Sequence, residues 1–159
     1  MPRSVVVAMI AVVASLGTVG ASASSSMVVR VHLRGFGHPL GASAACPDGR
    51  TAIQILTSSG RRAGSVSECV LSVRKLSKAA LDPWRIVAKV KQTIPLLDGT
   101  VRTKVTETFT FRQNGHSEGR FVGRIIGGEG RYAGLTGVIS GGGPGHGDVA
   151  DWLLKLRFR

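Results

Sequence analysis

Between Val101 and Arg112 the chain alternates strictly: Val101, Thr103, Val105, Glu107, Phe109 and Phe111 fall on one side, and Arg102, Lys104, Thr106, Thr108, Thr110 and Arg112 on the other. A period of two sustained over this length is a half-buried strand. Gln113-Asn114-Gly115-His116 follows. Asn-Gly between alternating runs marks a hairpin, so the stretch 120–126 is expected to pair antiparallel with the first. The segment 84–92 repeats the pattern, with Trp84, Ile86, Ala88 and Val90 inward and Arg85, Lys89 and Lys91 outward. It begins after Pro83 and is expected to end before Pro95, because proline interrupts a ladder. In 151–158, Trp152, Leu154, Leu156 and Phe158 oppose Lys155 and Arg157. Further strands are read at 28–34, 51–58, 65–75 and 135–140. The glycine-rich run 141–147 reads as a loop, and no segment joins helical periodicity to caps.

Eight sequential strands, each with one apolar face and joined by short connections, are best satisfied when the sheet closes on itself and loses its edges. The expected class is therefore all-β, an eight-stranded antiparallel up-and-down β-barrel, with a β-sandwich as the alternative. A barrel of this size either fills its interior with side chains or holds one small ligand. Ahead of the strands, Arg3, the apolar run from Val5 to Val19 and Ala21-Ser22-Ala23 have the order of a secretion signal peptide. The run is shorter than the roughly 20 apolar residues that a membrane span requires. Residues 1–23 are thus read as a cleaved signal and 24–159 as a single domain, secreted and with no transmembrane span after cleavage. In an oxidising compartment the two cysteines, Cys46 and Cys69, are most simply a disulfide. Such a link contributes about 3 kcal/mol in the chain-entropy view.

Gly127, Gly128, Gly130, Gly134 and Gly137 punctuate the stretch Ile125-Ile126-Gly127-Gly128-Glu129-Gly130-Arg131-Tyr132-Ala133-Gly134-Leu135-Thr136-Gly137. Glycine reaches positive φ without a Cβ clash, so this spacing marks a tight reversal between neighbouring strands. Gly128-Glu129-Gly130-Arg131-Tyr132-Ala133 also fits a dinucleotide fingerprint on paper. That fingerprint needs a helix to start there, and the following residues start none, so no nucleotide cofactor is expected. The segment resembles the corresponding hairpin of the allene oxide cyclase and dirigent barrels, with Glu129 where a Thr or Ser is usual. The resemblance implies a barrel with a hydrophobic cavity for apolar or phenolic intermediates, and an oligomer, although no interface is legible in the strands. No catalytic residue of those families finds a matching motif in this sequence.

Composition adds charge. The 21 Lys and Arg against nine Asp and Glu give a net charge of +12, or +11 once Arg3 leaves with the signal. Arg30, Arg34, Arg85, Lys89, Lys91, Arg102, Lys104, Arg112, Lys155 and Arg157 all lie opposite the apolar faces, which dresses the outside of a barrel in cations. Such a field favours anionic cell-wall or surface polymers. Specific nucleic-acid binding is not expected, since stacking aromatics are absent from that face. His32, His38, His116 and His146 are scattered without metal-ligand spacing, and no metal or cofactor is expected. Glu107 is the charge on an otherwise apolar face, where burial would raise its pKa. It and Tyr132 are the candidates for chemistry. Three functions follow. The first is binding of a small apolar or phenolic ligand inside the barrel, with Trp84, Val105, Glu107, Phe109 and Tyr132 at the cavity or its mouth. The second is a cyclase-like isomerase using Glu107 or Tyr132. The third is a cationic, cell-envelope-associated protein with a filled barrel.

Overall fold

The computed structural model describes residues 27–36, 38–56, 59, 61–77, 83–147 and 149–159. The expected signal at 1–23 lies outside them. Among the described residues nine strands run in chain order: β1 (Val28–Phe36), β2 (His38–Ser43), β3 (Cys46–Leu56), β4 (Arg62–Lys75), β5 (Trp84–Leu96), β6 (Gly99–Phe111), β7 (His116–Gly130), β8 (Gly137–His146) and β9 (Val149–Phe158). Every pairing is antiparallel, in the order β1-β9-β8-β7-β6-β5-β4-β3-β2. A further contact between β1 and β3, with Leu33 opposite Ile55, closes the ring. The result is a closed eight-stranded antiparallel barrel with β2 as an extra strand.

Alternation builds this ring as the sequence predicts. β5 and β6 pair without a slip from Trp84 opposite Phe111 to Leu96 opposite Gly99. Their inward residues Ala88, Val90, Ile94, Val101 and Val105 are buried beside Leu33, Ile53, Val66, Phe121, Ile125, Ile139, Leu154 and Leu156 from the rest of the ring. Fully burying a side chain of this kind contributes about 1.5–3 kcal/mol. The lumen is thus occupied by packed side chains.

Two local expectations need correction. β5 does not stop before Pro95. The last registered β4–β5 pair is Ser67 opposite Thr93, so the proline lies where the ladder on that side has already ended. The run 141–147 is not a loop, because β8 continues through it to His146. Gly142 has φ near 149°, and a Cβ there would lie 2.1 Å from the Gly119 carbonyl oxygen. Glycine lets the strand pass where other residues could not. The hairpin expected at Asn114-Gly115 does form, with Gln113-Asn114-Gly115 as a three-residue turn. Arg112 N–H donates to the His116 carbonyl and Gly115 takes φ near 81°, placing His116 at the start of β7.

The ends of the barrel differ. At one, Trp84 stacks on Phe111 with ring centroids 4.3 Å apart, and Phe109 bridges Phe111, Phe121 and Trp152 at 6.1, 5.9 and 5.6 Å. Gly119 faces Phe109 across the ladder, and its missing side chain makes room for the Phe109 and Trp152 rings. At the other end the chain reverses over residues 131–134, Tyr132 is buried against Phe158 with centroids 5.4 Å apart, and Gly128 makes room beneath it. Gly127, Gly128 and Gly130 belong to β7 and Gly137 to β8, leaving Gly134 in the turn itself. Cys46 and Cys69 form the expected disulfide between β3 and β4.

Candidate functional site

Inside the wall, β4, β5 and β6 each contribute a polar side chain to one buried cluster. Val66, Glu68 and Val70 share the inner face of β4, Gln92 follows Val90 on β5, and Thr103 and Glu107 flank Val105 on β6. Gln92 Nε2 donates to Glu68 Oε1 at 2.9 Å and to Glu107 Oε1 at 3.0 Å. Its own Oε1 accepts from Thr103 Oγ1 at 3.1 Å, and Thr51 Oγ1 of β3 donates to Glu68 Oε2 at 2.7 Å. Glu68, Gln92, Thr103 and Glu107 are the buried polar side chains among the described residues, so no buried cation answers the two carboxyls.

Burial raises Glu68 above the usual carboxylate range, while hydrogen bonds from Thr51, Gln92 and Glu107 pull it back. Glu107 is raised well above that range, first by burial, then by the neighbouring Glu68 charge and its own hydrogen bond to Glu68, against an opposing contribution from Gln92. One proton carried by Glu107 and donated to Glu68 lets every partner in the cluster be satisfied. The expectation that Glu107 points inward and titrates high agrees with this environment. Glu68 and Gln92 were missed, although the alternation that placed Glu107 also puts both on inner faces.

The other sequence-derived site residues divide between the ends. Trp84 and Phe109 belong to the aromatic end, Val105 and Glu107 lie midway, and Tyr132 closes the opposite end. Gly99, level with Gly130, is eight residues from Glu107 along β6, a rise of about 26 Å. Glu107 and Tyr132 are therefore not one site. Burial, with Asp98 adding to it and Arg131 opposing it, raises the Tyr132 phenol.

Outside, register does what alternation alone cannot. Lys91 of β5 lies directly opposite Lys104 of β6, which lies directly opposite Arg124 of β7. All three are exposed, as are Lys89 and Arg102 beside them. None of the five forms an ion pair among the described residues. The outer faces of β5 and β6 carry no acid; on β7, Glu118 pairs with Arg120 and Glu129 stands opposite Thr100, both away from the row. Like charges facing each other across a ladder oppose folding. Three in a row make a positive stripe with no acidic partner among the described residues.

The histidines are less scattered than their spacing implies. His116 and His146 face each other across β7 and β8, ring edge to ring face with centroids 4.8 Å apart, and His32 hydrogen-bonds Asp151. Among the described residues no group of three metal-ligating side chains forms. No helix there is long and apolar enough to cross a membrane.

No protein-family model, curated protein or solved structure matches this chain. What fold and site define together is a disulfide-linked, closed β-barrel with a packed lumen, a buried acid pair and a cationic outer wall.

Proposed function

We propose that this is an exported, envelope-associated barrel that binds anionic polymers through its outer wall. The observation that carries the reading is the unneutralised row Lys91, Lys104 and Arg124, flanked by Lys89 and Arg102. No aromatic side chain lies on the outer faces of β5, β6 or β7 to stack a base. The favoured partner is thus a polymer bearing phosphate or carboxylate groups, without bases to be read. The disulfide supports an oxidising location. The ring of eight strands supports kinship with the allene oxide cyclase and dirigent barrels. The cavity that kinship implies is filled by Phe121, Leu33, Ile94 and Leu154. A cyclase-like role gains no support, because Glu107 is sealed within its cluster and Tyr132 lies at the other end.

Polyphosphate retention tests the reading. The wild-type protein is expected to be held on immobilised polyphosphate at low salt and released as salt rises. The triple variant Lys91→Gln, Lys104→Gln, Arg124→Gln should elute far earlier, its salt dependence reduced by about one unit of slope per lost contact. Removing the facing charges should leave its thermal midpoint unchanged or raised. Coincident elution of the two proteins would refute the proposal.

A second reading places a small phenolic ligand at the aromatic end. It is favoured by Trp152, whose buried Nε1–H has no acceptor among the described residues. Titration with a simple phenol should then shift tryptophan emission saturably, and a response that stays linear in ligand would exclude it.

A further inference from the structure

Two exposed apolar side chains on the outer wall stand at breaks in the strand register. The β2–β3 register slips between Pro39 opposite Thr51 and Gly41 opposite Arg50, leaving Leu40 as the extra residue. The β6–β7 register slips between Arg102 opposite Gly127 and Thr103 opposite Ile125, leaving Ile126 as the extra residue. Bulges gather beside functional sites. Leu40 and Ile126, 49% and 46% exposed, border the same recess of about 360 Å³ on the outside of β4, β5 and β6.

Its lining joins those two apolar posts to Arg50, Lys91 and Arg102, with Ser67, Cys69 and Thr93 between them, and includes Glu68, Gln92 and Thr103 of the buried cluster behind the wall. Arg50 is anchored, since its Nη2 donates to the Leu40 carbonyl at 3.0 Å. The β2–β3 hairpin thus brings one apolar post and one cation together, and the Cys46–Cys69 disulfide ties the hairpin to β4. None of the three cations has a carboxylate partner among the described residues. A bare polyanion would satisfy the cations but leave Leu40 and Ile126 in water. An uncharged apolar ligand would do the reverse and leave the three cations unneutralised.

We infer that this recess binds a phosphate group carried on an apolar body, with the phosphate among Arg50, Lys91 and Arg102 and the body between Leu40 and Ile126. The volume lies within the range of small-molecule sites. The inference rests on the outer-wall reading for its charges, whereas the bulged posts are independent of it. The occupant this chemistry fits is a lipid-type alkyl phosphate.

The experiment is a methyl and amide NMR titration of the oxidised full-length domain with four probes: octyl phosphate below its micelle concentration, glycerol phosphate, inorganic phosphate and octyl glucoside. Octyl phosphate is expected to bind at least about tenfold more tightly than the other three, with saturable shifts at Leu40, Ile126 and Arg102. This result identifies an alkyl phosphate site of the lipid type. Equal affinity for glycerol phosphate and octyl phosphate would show that the apolar body adds nothing and would overturn the inference. Ile126→Ser and Leu40→Ser, both at exposed positions, should lower octyl phosphate affinity to the level of inorganic phosphate while leaving polyphosphate retention unchanged. Arg102→Gln should weaken both. Equal binding of all three phosphates, or an Ile126→Ser variant with undiminished preference for octyl phosphate, would overturn the inference. If polyphosphate retention persists in that case, the recess fails and the outer-wall reading stands; if retention ignores Lys91, Lys104 and Arg124, the wall reading fails on its own evidence.

Discussion

Replacing Gln92 by leucine should cost about 3–5 kcal/mol of folding stability, measured as the shift in urea unfolding at neutral pH. The expectation follows from what one amide does between two acids. Its Nε2 serves Glu68 and Glu107 at once, and its Oε1 takes the Thr103 hydroxyl. Leucine matches its size but supplies neither donor nor acceptor, so three buried groups lose a partner together. Each unsatisfied buried group costs about 1–3 kcal/mol. Since small domains are stable by only about 5–15 kcal/mol, the loss is a large share of the total. Gln92→Glu should be worse still, for it adds a third carboxyl and removes the shared donor. A leucine variant within about 0.5 kcal/mol of wild type, the scatter of an ordinary surface substitution, would mean that the cluster does not hold the wall together.

The second large effect is on pH. Both Glu68 and Glu107 have folded pKa values raised above their unfolded values, Glu107 the more strongly. The stability such groups contribute is complete below the unfolded carboxyl pKa of about 4.3 and is lost as pH rises through the folded values. The pair therefore makes the barrel less stable at pH 8 than at pH 5, by about 1.4 kcal/mol for each unit of upward shift that has been crossed. Glu107→Gln removes the larger part of this. The new amide can still donate to Glu68 and accept from Gln92, and it has no proton to lose. Unfolding free energies at pH 5, 7 and 9 should coincide for the two proteins at the acid end and diverge upward, with the variant at least about 1 kcal/mol more stable at pH 9. Other titrating groups affect both proteins alike, so parallel curves would refute the assignment.

How much of this the sequence carried depends on whether a feature lives within one strand or between strands. β6 was legible because its alternation runs unbroken, and the inward position of Glu107 came with it. Glu68 and Gln92 sit on inner faces by the same count, but their meeting depends on a β4–β5 register that slips between Val70 and Ser72. Likewise each of Lys91, Lys104 and Arg124 can be placed outside from its own strand. That they form a row is a property of pairing. The end of β8 was hidden because four glycines and a proline carry no alternation to read. β2 was hidden because His38-Pro39-Leu40-Gly41-Ala42-Ser43 is held by its neighbour's backbone and not by an apolar face of its own. Leu40 and Ile126 illustrate the same limit, since a bulge is visible only once the partner strand is known.

The ring is also less symmetrical than an eight-stranded closure suggests. Most neighbours share long ladders, but β1 meets β3 through the single registered pair Leu33 and Ile55, after which β2 takes over the same side of β3. The barrel therefore has a seam, and β2 is the strip laid along it. That strip becomes the free border of the sheet, and it is six residues long, contains Pro39 and is broken by two register slips. Short length, proline and bulges are the means by which proteins keep a strand border from recruiting another chain. The segment that pattern reading overlooked is thus the selvedge of the fold, finishing an otherwise closed weave at the place where it could fray or be extended.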